Sequence, residues 1–141
     1  TICPGKDVLV IDAGTAITYD IVSARGEYVG GNISQGIDIR FKSLHKYTNR
    51  LPHLERPQEL PPLVGSSTRE AIQSGIVNGL RFEMDGFIEA MTGLYPKLQV
   101  VLTGGDAKYF VGKLKSSIFV DPNLNLIGLN RILEHNADKE T

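Results

Sequence analysis

The strongest constraint on the fold is a pair of strand-like segments separated by a short polar joint. Residues 8–11 form a continuous aliphatic run, Val-Leu-Val-Ile, of the kind found in strands that are covered on both faces. Residues 15–22 are rich in Thr, Ile, Tyr and Val, which favour strands. Because the joint is only a few residues long, the sequence predicts a β-hairpin.

The joint between these strands contains residue types that suit phosphate binding. Gly14 allows the backbone to turn where a side chain would clash, and glycine-containing turns expose N–H groups that can face a phosphate. Thr15 adds a hydroxyl donor, and Asp12 adds a carboxylate suited to a cation that accompanies phosphate. We interpret the joint as half of a nucleotide-phosphate clamp. The alternative is an ordinary hairpin turn, and so short a motif does not separate the two.

Composition narrows the class of protein and of partner. The 141 residues are 41% hydrophobic, which suits one compact domain with a hydrophobic core. A net charge of -1 argues against a nucleic-acid partner, and no apolar run reaches the roughly 20 residues needed to span a bilayer. The single cysteine, Cys3, fits a reducing cytoplasm and offers no disulfide framework. The three histidines lie far apart in the sequence, and we expect no metal cluster.

The middle of the chain predicts a third strand and two helices. A short strand at residues 27–31 should complete an antiparallel meander. The glycine-containing segment 30–36 is then either a flexible loop or a close approach of backbone to a ligand or a neighbouring strand. A helix is predicted at residues 37–47, with Ile37, Phe41, Leu44 and Tyr47 along its inner side. Residues 48–65 contain four prolines and predict a surface loop that wraps the domain or lines a partner.

A capping box begins the long helix that follows this loop. Ser67 is its expected N-cap and Glu70 its N3 residue, and Gly93 and Pro96 end it. Apolar residues at helical spacing predict a core stripe: Ile72, Ile76, Leu80, Met84, Ile88 and Met91. Gly75 and Gly79 would weaken an isolated helix. We therefore expect them to pack closely on the sheet or on a second subunit.

The last third of the chain alternates strands and helices. Strands are predicted at residues 98–102 and 118–120, and helices at 108–114 and 126–135. The first of these strands runs into Thr103-Gly104-Gly105-Asp106-Ala107. Bare backbone at Gly104 and Gly105 would let a flat base or ribose come close, and the helix N-terminus behind them favours negative charge. An ordinary strand-to-helix turn is the alternative.

This order of elements resembles the ribonuclease-H-like domain shared by actin, sugar kinases and Hsp70-type ATPases. The resemblance implies an α/β fold with a mixed five-stranded sheet, a three-strand antiparallel meander and flanking helices. It also implies that two such domains close on one nucleotide. In the second domain, a hairpin turn contacts the phosphates and a strand–Gly-Gly–helix junction lies against the adenosine. Both features occur here in that order.

Five motifs make the chain similar to the C-terminal half of type III pantothenate kinases. They are Asp12-x-Gly14-Thr15-Ala16-x-Thr18-x-Asp20, Tyr28-x-Gly30-Gly31-x-Ile33-x-x-Gly36, Thr48-x-x-Leu51-Pro52, Gly65-x-x-Thr68-x-x-Ala71-Ile72-x-Ser74-Gly75 and Thr103-Gly104-Gly105-Asp106-Ala107. The resemblance implies transfer of the γ-phosphate of ATP, bound with Mg2+, to pantothenate, the first step of coenzyme A synthesis.

The resemblance also implies a role for each matching residue. Asp12 corresponds to the ligand of a monovalent cation, potassium or ammonium. Gly14 and Thr15 correspond to the ATP-phosphate contact, and Gly104 and Gly105 to the adenosine side. Thr68 corresponds to a threonine that contacts pantothenate across a homodimer interface.

Two family motifs are not found in this sequence. One is the first phosphate loop, Asp-x-Gly-Asn-Thr, and the other is Gly-x-Asp-Arg, whose aspartate is the proposed catalytic base. Gly5-Lys6-Asp7 does not match the second motif, and we expect Asp7 to open a strand. Ser34-Gln35 also replaces the usual proline before Gly36. We therefore identify no catalytic residue.

These departures shape what we expect of the chain as a whole. Residues 1–141 should form one domain, the C-terminal domain of a longer two-domain kinase, and be inactive alone. The rival interpretations are another kinase or phosphatase of the superfamily and a non-enzymatic regulatory or binding module.

Overall fold

The computed structural model describes residues 5–124, which form five strands and three helices. In chain order the elements are β1 (Val8–Ala13), β2 (Ala16–Val22), β3 (Tyr28–Gln35), α1 (Ile37–Tyr47), α2 (Thr68–Leu94), β4 (Gln99–Thr103), α3 (Ala107–Phe110) and β5 (Phe119–Val120). The helix predicted at residues 126–135 lies outside the described residues. Within residues 5–124, every helix lacks the combination of length and apolar character that a bilayer span needs.

The strands form one mixed sheet in the order β3-β2-β1-β4-β5. Strands β1, β2 and β3 pair antiparallel, whereas β4 is parallel to both β1 and β5. The predicted hairpin, meander and mixed five-stranded sheet are therefore confirmed. Placing β4 beside β1 brings the carboxyl ends of two parallel strands to one edge, where Asp12 is paired with Thr103.

The core lies between one face of this sheet and the helices. Every second residue of β1 is fully buried, namely Leu9, Ile11 and Ala13. The predicted stripe of α2 packs against them, with Ile72, Ile76, Leu80, Met84 and Ile88 buried and Met91 half-buried. Alternation along a strand and a 3.6-residue period along a helix therefore produce matching apolar surfaces.

The capping box of α2 forms with one change. The Ser67 hydroxyl accepts the N–H of Glu70 at 3.1 Å, as predicted. The Glu70 carboxylate accepts the backbone N–H of Ser66, rather than that of Ser67, at 2.9 Å. Both contacts stabilise the start of α2 and thereby position Thr68, its first residue.

Strand β3 is longer than the sequence predicted. Residues 32–35 were expected in a loop, but they continue the strand by pairing with β2. Gly31 lies so close to Tyr19 O that an added Cβ would overlap it. Of the two alternatives for this segment, this confirms the close approach to a neighbouring strand and excludes the flexible loop.

Three further expectations are corrected. Tyr47 is 79% exposed because it lies at the end of α1, beyond the core contacts of Ile37 and Phe41. Helix α3 ends at Phe110, where the N–H of Val111 bonds Lys108 O in a tighter turn. Gly75 and Gly79 do not pack on the sheet, since an added Cβ at either would meet nothing within 4 Å.

The proline-rich segment wraps the domain, which was one of the two alternatives predicted from the sequence. Residues 48–67 contain no helix or strand, yet Leu54 is buried in the core. Side chains from two helices bond to carbonyls of the segment: Ser74 Oγ donates to Leu63 O and Tyr109 OH to Pro57 O, both at 2.8 Å. The segment is therefore fixed to both α2 and α3.

Candidate functional site

The hairpin turn after β1 is held from two sides. The N–H of Gly14 donates to Ala16 O at 3.0 Å, and the N–H of Gly36 donates to Thr15 O at 2.9 Å. Gly36 is itself buried against the turn, where an added Cβ would overlap Gly14 O and Thr15 O. Thr15 remains exposed. The turn thus has a fixed backbone and a hydroxyl accessible to a ligand.

The junction between β4 and α3 lies directly against the end of β1. The N–H of Asp106 donates to Ala13 O at 2.9 Å. Gly104 has φ +97°, and a Cβ added there would overlap Asp12 Oδ1 and lie 2.5 Å from Ala13 O. Only glycine adopts this positive φ without strain and lacks the Cβ that would overlap these atoms. The structure therefore brings the two predicted glycine-bearing bends to the same edge of the sheet.

Gly105 differs from Gly104 in its surroundings. An added Cβ at Gly105 would meet nothing within 4 Å, and its backbone is exposed. The fold itself therefore does not require glycine at this position. Gly105 thus lies in an otherwise tightly packed junction, at a position where the fold would accept a side chain. The open space there leaves room for a flat ligand to approach.

Asp12 is half-buried at the centre of this edge. Burial, and after it the nearby carboxylate of Asp20, raises the pKa of Asp12. Asp20 also accepts a hydrogen bond from Tyr28 OH at 2.7 Å. A carboxylate that is partly desolvated and close to a second carboxylate favours a bound cation.

Thr103 provides a second oxygen on the same face of the sheet. It pairs with Asp12 in the register of β1 and β4, so both side chains leave the sheet on the same side. Thr103 is fully buried, and its hydroxyl is the one buried side-chain polar atom without a hydrogen-bond partner that is identified within residues 5–124. Buried hydroxyls are normally paired. A carboxylate and an unpaired hydroxyl are hard oxygen donors, which fit an alkali-type cation.

Thr68 lies apart from these residues. It is exposed at the start of α2 and lines a cavity of about 620 Å³ between α1, α2 and the proline-rich segment. The other lining residues are Gln35, Arg40, Ser43, Leu44, Leu51, Ala71, Ile72, Gly75 and Ile76. None of the predicted nucleotide residues is among them. Within one copy of the described chain, Thr68 therefore lines a different site.

Two clusters of charged residues near the site escaped the sequence analysis. Arg56, in the proline-rich segment, contacts Asp38 and Asp106. Arg40 of α1 and Glu83 of α2 form an ion pair at 2.7 Å, next to Tyr19 of β2 and Ser34 of β3. The members of each cluster come from distant parts of the chain, so they follow no helical or strand period. No local signal could have found them.

Asp7 has a structural contact. Its carboxylate accepts the N–H of Ala24 at 2.8 Å and its carbonyl accepts that of Gln99 at 2.9 Å. It therefore joins the lead into β1 to the β2–β3 turn and to β4. Within residues 5–124, no group of three or more His, Cys, Asp or Glu side chains converges as a metal site.

Comparison with known proteins gives a consistent result. The family model of type III pantothenate kinase matches residues 1–90. The chain is 53% identical to a type III pantothenate kinase of Phocaeicola vulgatus over 94% of its length and 54% of the relative's. It is 50% identical to one of Porphyromonas gingivalis, over 95% of the chain and 56% of the relative. The chain thus spans about half the length of the curated relatives that it matches.

A solved structure from Campylobacter jejuni has a similar fold. Its TM-score is 0.62 at 26% identity, covering 94% of this chain and 60% of that one. Its name assigns it to the Baf family of transcriptional activators.

Proposed function

The chain belongs to the type III pantothenate kinase family, and on that premise we propose that the full-length protein transfers the γ-phosphate of ATP to pantothenate. The observation that carries this proposal is the contact between the two glycine-bearing bends, in which Asp106 N–H donates to Ala13 O. That contact joins the residue before Gly14 to the residue after Gly105, which supports a shared nucleotide site.

We also propose that the domain is of the ribonuclease-H-like type. The strand order with a three-strand meander next to two parallel strands supports this assignment. In this proposal residues 1–141 are the C-terminal domain of a two-domain kinase. A preceding domain then supplies the first phosphate loop and the catalytic base, so residues 1–141 alone should show little turnover.

The proposed roles follow from phosphoryl-transfer physics, in which positioning and charge neutralisation do most of the work. The turn N–H groups and the Thr15 hydroxyl bind phosphate oxygens, and Gly104 and Gly105 lie against adenosine. Asp12, with Thr103 beside it, would hold K+ or NH4+, which supplies positive charge near the phosphates. Mg2+ arrives with ATP, and we assign no residue of this chain to it.

Thr68 has a role in this proposal only if two copies associate. It lines a cavity separate from the nucleotide residues, which is compatible with a contact to pantothenate bound by a partner subunit. The same helix presents Gly75 and Gly79 with open space before them. We therefore propose a homodimer in which α2 lies at the interface.

Substitution of Gly105 tests the nucleotide site directly. Because nothing surrounds this position, Gly105→Ala should fold normally, and a methyl group should still obstruct adenosine. We expect the ATP dissociation constant to rise about tenfold, equivalent to about 1.4 kcal/mol, with the pantothenate dissociation constant unchanged. Isothermal titration of the full-length protein with each ligand measures both constants.

The control is Ala24→Ser, in the exposed turn after β2, at the opposite end of that strand from the hairpin turn. It should leave ATP binding unchanged. Equal ATP affinity in Gly105→Ala and wild type would remove Gly105 from the site, and a wild-type protein that binds neither ligand would refute the kinase assignment.

The likeness to the Campylobacter protein supports a second candidate, a non-enzymatic regulatory module on the same fold. Turnover by the full-length protein separates the two. A protein that binds ATP or pantothenate but never forms phosphopantothenate would favour the module.

A further inference from the structure

We infer that Arg56 is a positioning residue that holds the two sides of the nucleotide site at a fixed separation; this inference rests on the proposed function. Arg56 belongs to the proline-rich segment, which contains none of the predicted ATP-binding residues. Its guanidinium bonds two carboxylates on two different elements. Nη1 lies 3.0 Å from Asp106 Oδ1 and Nη2 lies 2.9 Å from Asp38 Oδ2.

The two carboxylates border the two halves of the proposed site. Asp106 follows Gly105 directly, and its N–H bonds the end of β1. Asp38 lies in the first turn of α1, which begins after Gly36, and Gly36 in turn bonds Thr15 O. One guanidinium therefore links the adenosine-side junction to the helix that supports the phosphate turn. We call Arg56, Asp38, Asp106 and Tyr109 the Arg56 bridge.

The backbone that presents Arg56 is itself fixed. The guanidinium lies 5.0 Å from the centroid of the Tyr109 ring, and the hydroxyl of Tyr109 donates to Pro57 O at 2.8 Å. Leu54 is buried two residues earlier. Contacts of Leu54 before it and Pro57 after it therefore fix the position of Arg56. About three quarters of the Arg56 side chain is shielded from solvent.

This geometry separates a positioning role from general stabilisation. The planar fork of an arginine can bond two carboxylates at once, whereas the single ammonium of a lysine cannot reproduce both contacts. Loss of the bridge would leave the β4–α3 junction bonded to β1 through its backbone, but free to shift relative to α1. Such a shift affects a ligand that contacts both sides, which is ATP. The Thr68 cavity has walls from α1 and the proline-rich segment but none from the β4–α3 junction, so a ligand there should be affected less.

The test compares Arg56→Met, Arg56→Lys and Arg50→Met in the full-length protein. Arg50 is an exposed arginine of the same segment, outside the proposed site. For Arg56→Met we expect KM for ATP and the ADP dissociation constant to rise about five- to tenfold, as loss of a charge-assisted pair predicts. KM for pantothenate and kcat should change less than about twofold. Arg56→Lys should lie between Arg56→Met and wild type, and Arg50→Met should match wild type.

Amide hydrogen exchange gives a second readout that does not depend on turnover. The N–H groups of Asp106 and Ala107 should exchange faster in Arg56→Met, while those of the β1–β2 pair should not change. If Arg56→Met does not fold, Arg56→Lys decides by the same two readouts. Unchanged ATP KM and exchange in a folded variant, or equal rises in the KM of both substrates, would overturn the inference. Wild-type protein that binds no nucleotide would overturn the proposed function with it.

Discussion

At the scale of single residues, Asp12 illustrates a carboxylate kept in unfavourable surroundings. Burial and Asp20 both disfavour its charged form, while the buried hydroxyl of Thr103 has no partner among the described side chains. Both groups lie on one face of the sheet edge. Both groups belong to the cation site proposed above, where a bound cation would offset the burial of the carboxylate and give the Thr103 hydroxyl a partner.

Substitution of Asp12 should therefore separate stability from cation response. We expect Asp12→Asn to raise the melting temperature slightly in cation-free buffer, because a partly desolvated charge is gone. Wild-type protein should be stabilised more by KCl than by LiCl at equal ionic strength, and the variant equally by both. Differential scanning fluorimetry measures both effects. Glu89→Gln, which changes an exposed carboxylate of α2, is the control. A retained preference for potassium in Asp12→Asn would exclude Asp12 as the ligand.

At the scale of elements, a polar cluster joins the meander to both long helices. Glu83 of α2 accepts hydrogen bonds from Tyr19 OH at 2.7 Å and Ser34 Oγ at 2.8 Å, and it pairs with Arg40 of α1. Burial works against the charged carboxylate, but these hydrogen bonds outweigh it and hold the pKa of Glu83 below its ordinary value. Burial, followed by the bond to Glu83, raises the pKa of Tyr19. The cluster thus stabilises four elements at once.

The lowered pKa fixes the sign of a pH effect. A carboxyl group whose pKa is lower in the folded protein contributes stability above its unfolded value, about 4.3, and loses it as the pH falls through the folded value. Glu83→Gln should therefore lower the free energy of unfolding by about 1–3 kcal/mol at pH 7. The difference from wild type should shrink below about pH 4.

Urea unfolding of both proteins between pH 3 and pH 7 measures this difference. Glu89→Gln, which changes an exposed carboxylate on the same helix, should have little effect. A penalty for Glu83→Gln that stays constant down to pH 3 would contradict the assigned charge.

The elements also show what local sequence can and cannot predict. Strands β1, β2 and β4 and the bounds of α1 were predictable, because aliphatic runs and helical periods are local signals, and so was the start of α2, which the capping residue Ser67 marks. The extension of β3 over residues 32–35 was not, since Asn32 is a poor strand former, Ser34 and Gln35 give no strand signal, and the extension forms by pairing with β2. Likewise the residues of the candidate site could be named one by one from motifs, and their roles stay predictions. The contact of Arg56 with Asp106, 50 positions away, depends on the fold.

At the scale of the whole molecule, the outer face of α2 is unusual for a helix exposed to water. Gly75, Gly79, Phe82, Gly86 and Gly93 recur at intervals of three, four and seven residues, which places them on one face. Phe82 is 56% exposed. An added Cβ at any of the four glycines would meet nothing within 4 Å in the described chain. Bare backbone beside an exposed aromatic ring suits the close approach of another helix.

If two copies associate through this face, Phe82→Arg should give a monomer, because a charge would be buried in the interface. The same variant should raise KM for pantothenate about tenfold or more and change ATP affinity little, since Thr68 lies on this helix and the proposed nucleotide residues do not. Light scattering after size-exclusion chromatography measures the mass, and separate ligand titrations measure the affinities. Leu94→Arg is the matched control, because Leu94 is 77% exposed on the same helix but outside the glycine face. A dimer that persists in Phe82→Arg would mean that α2 is not the interface, and Thr68 would then need another route to the substrate.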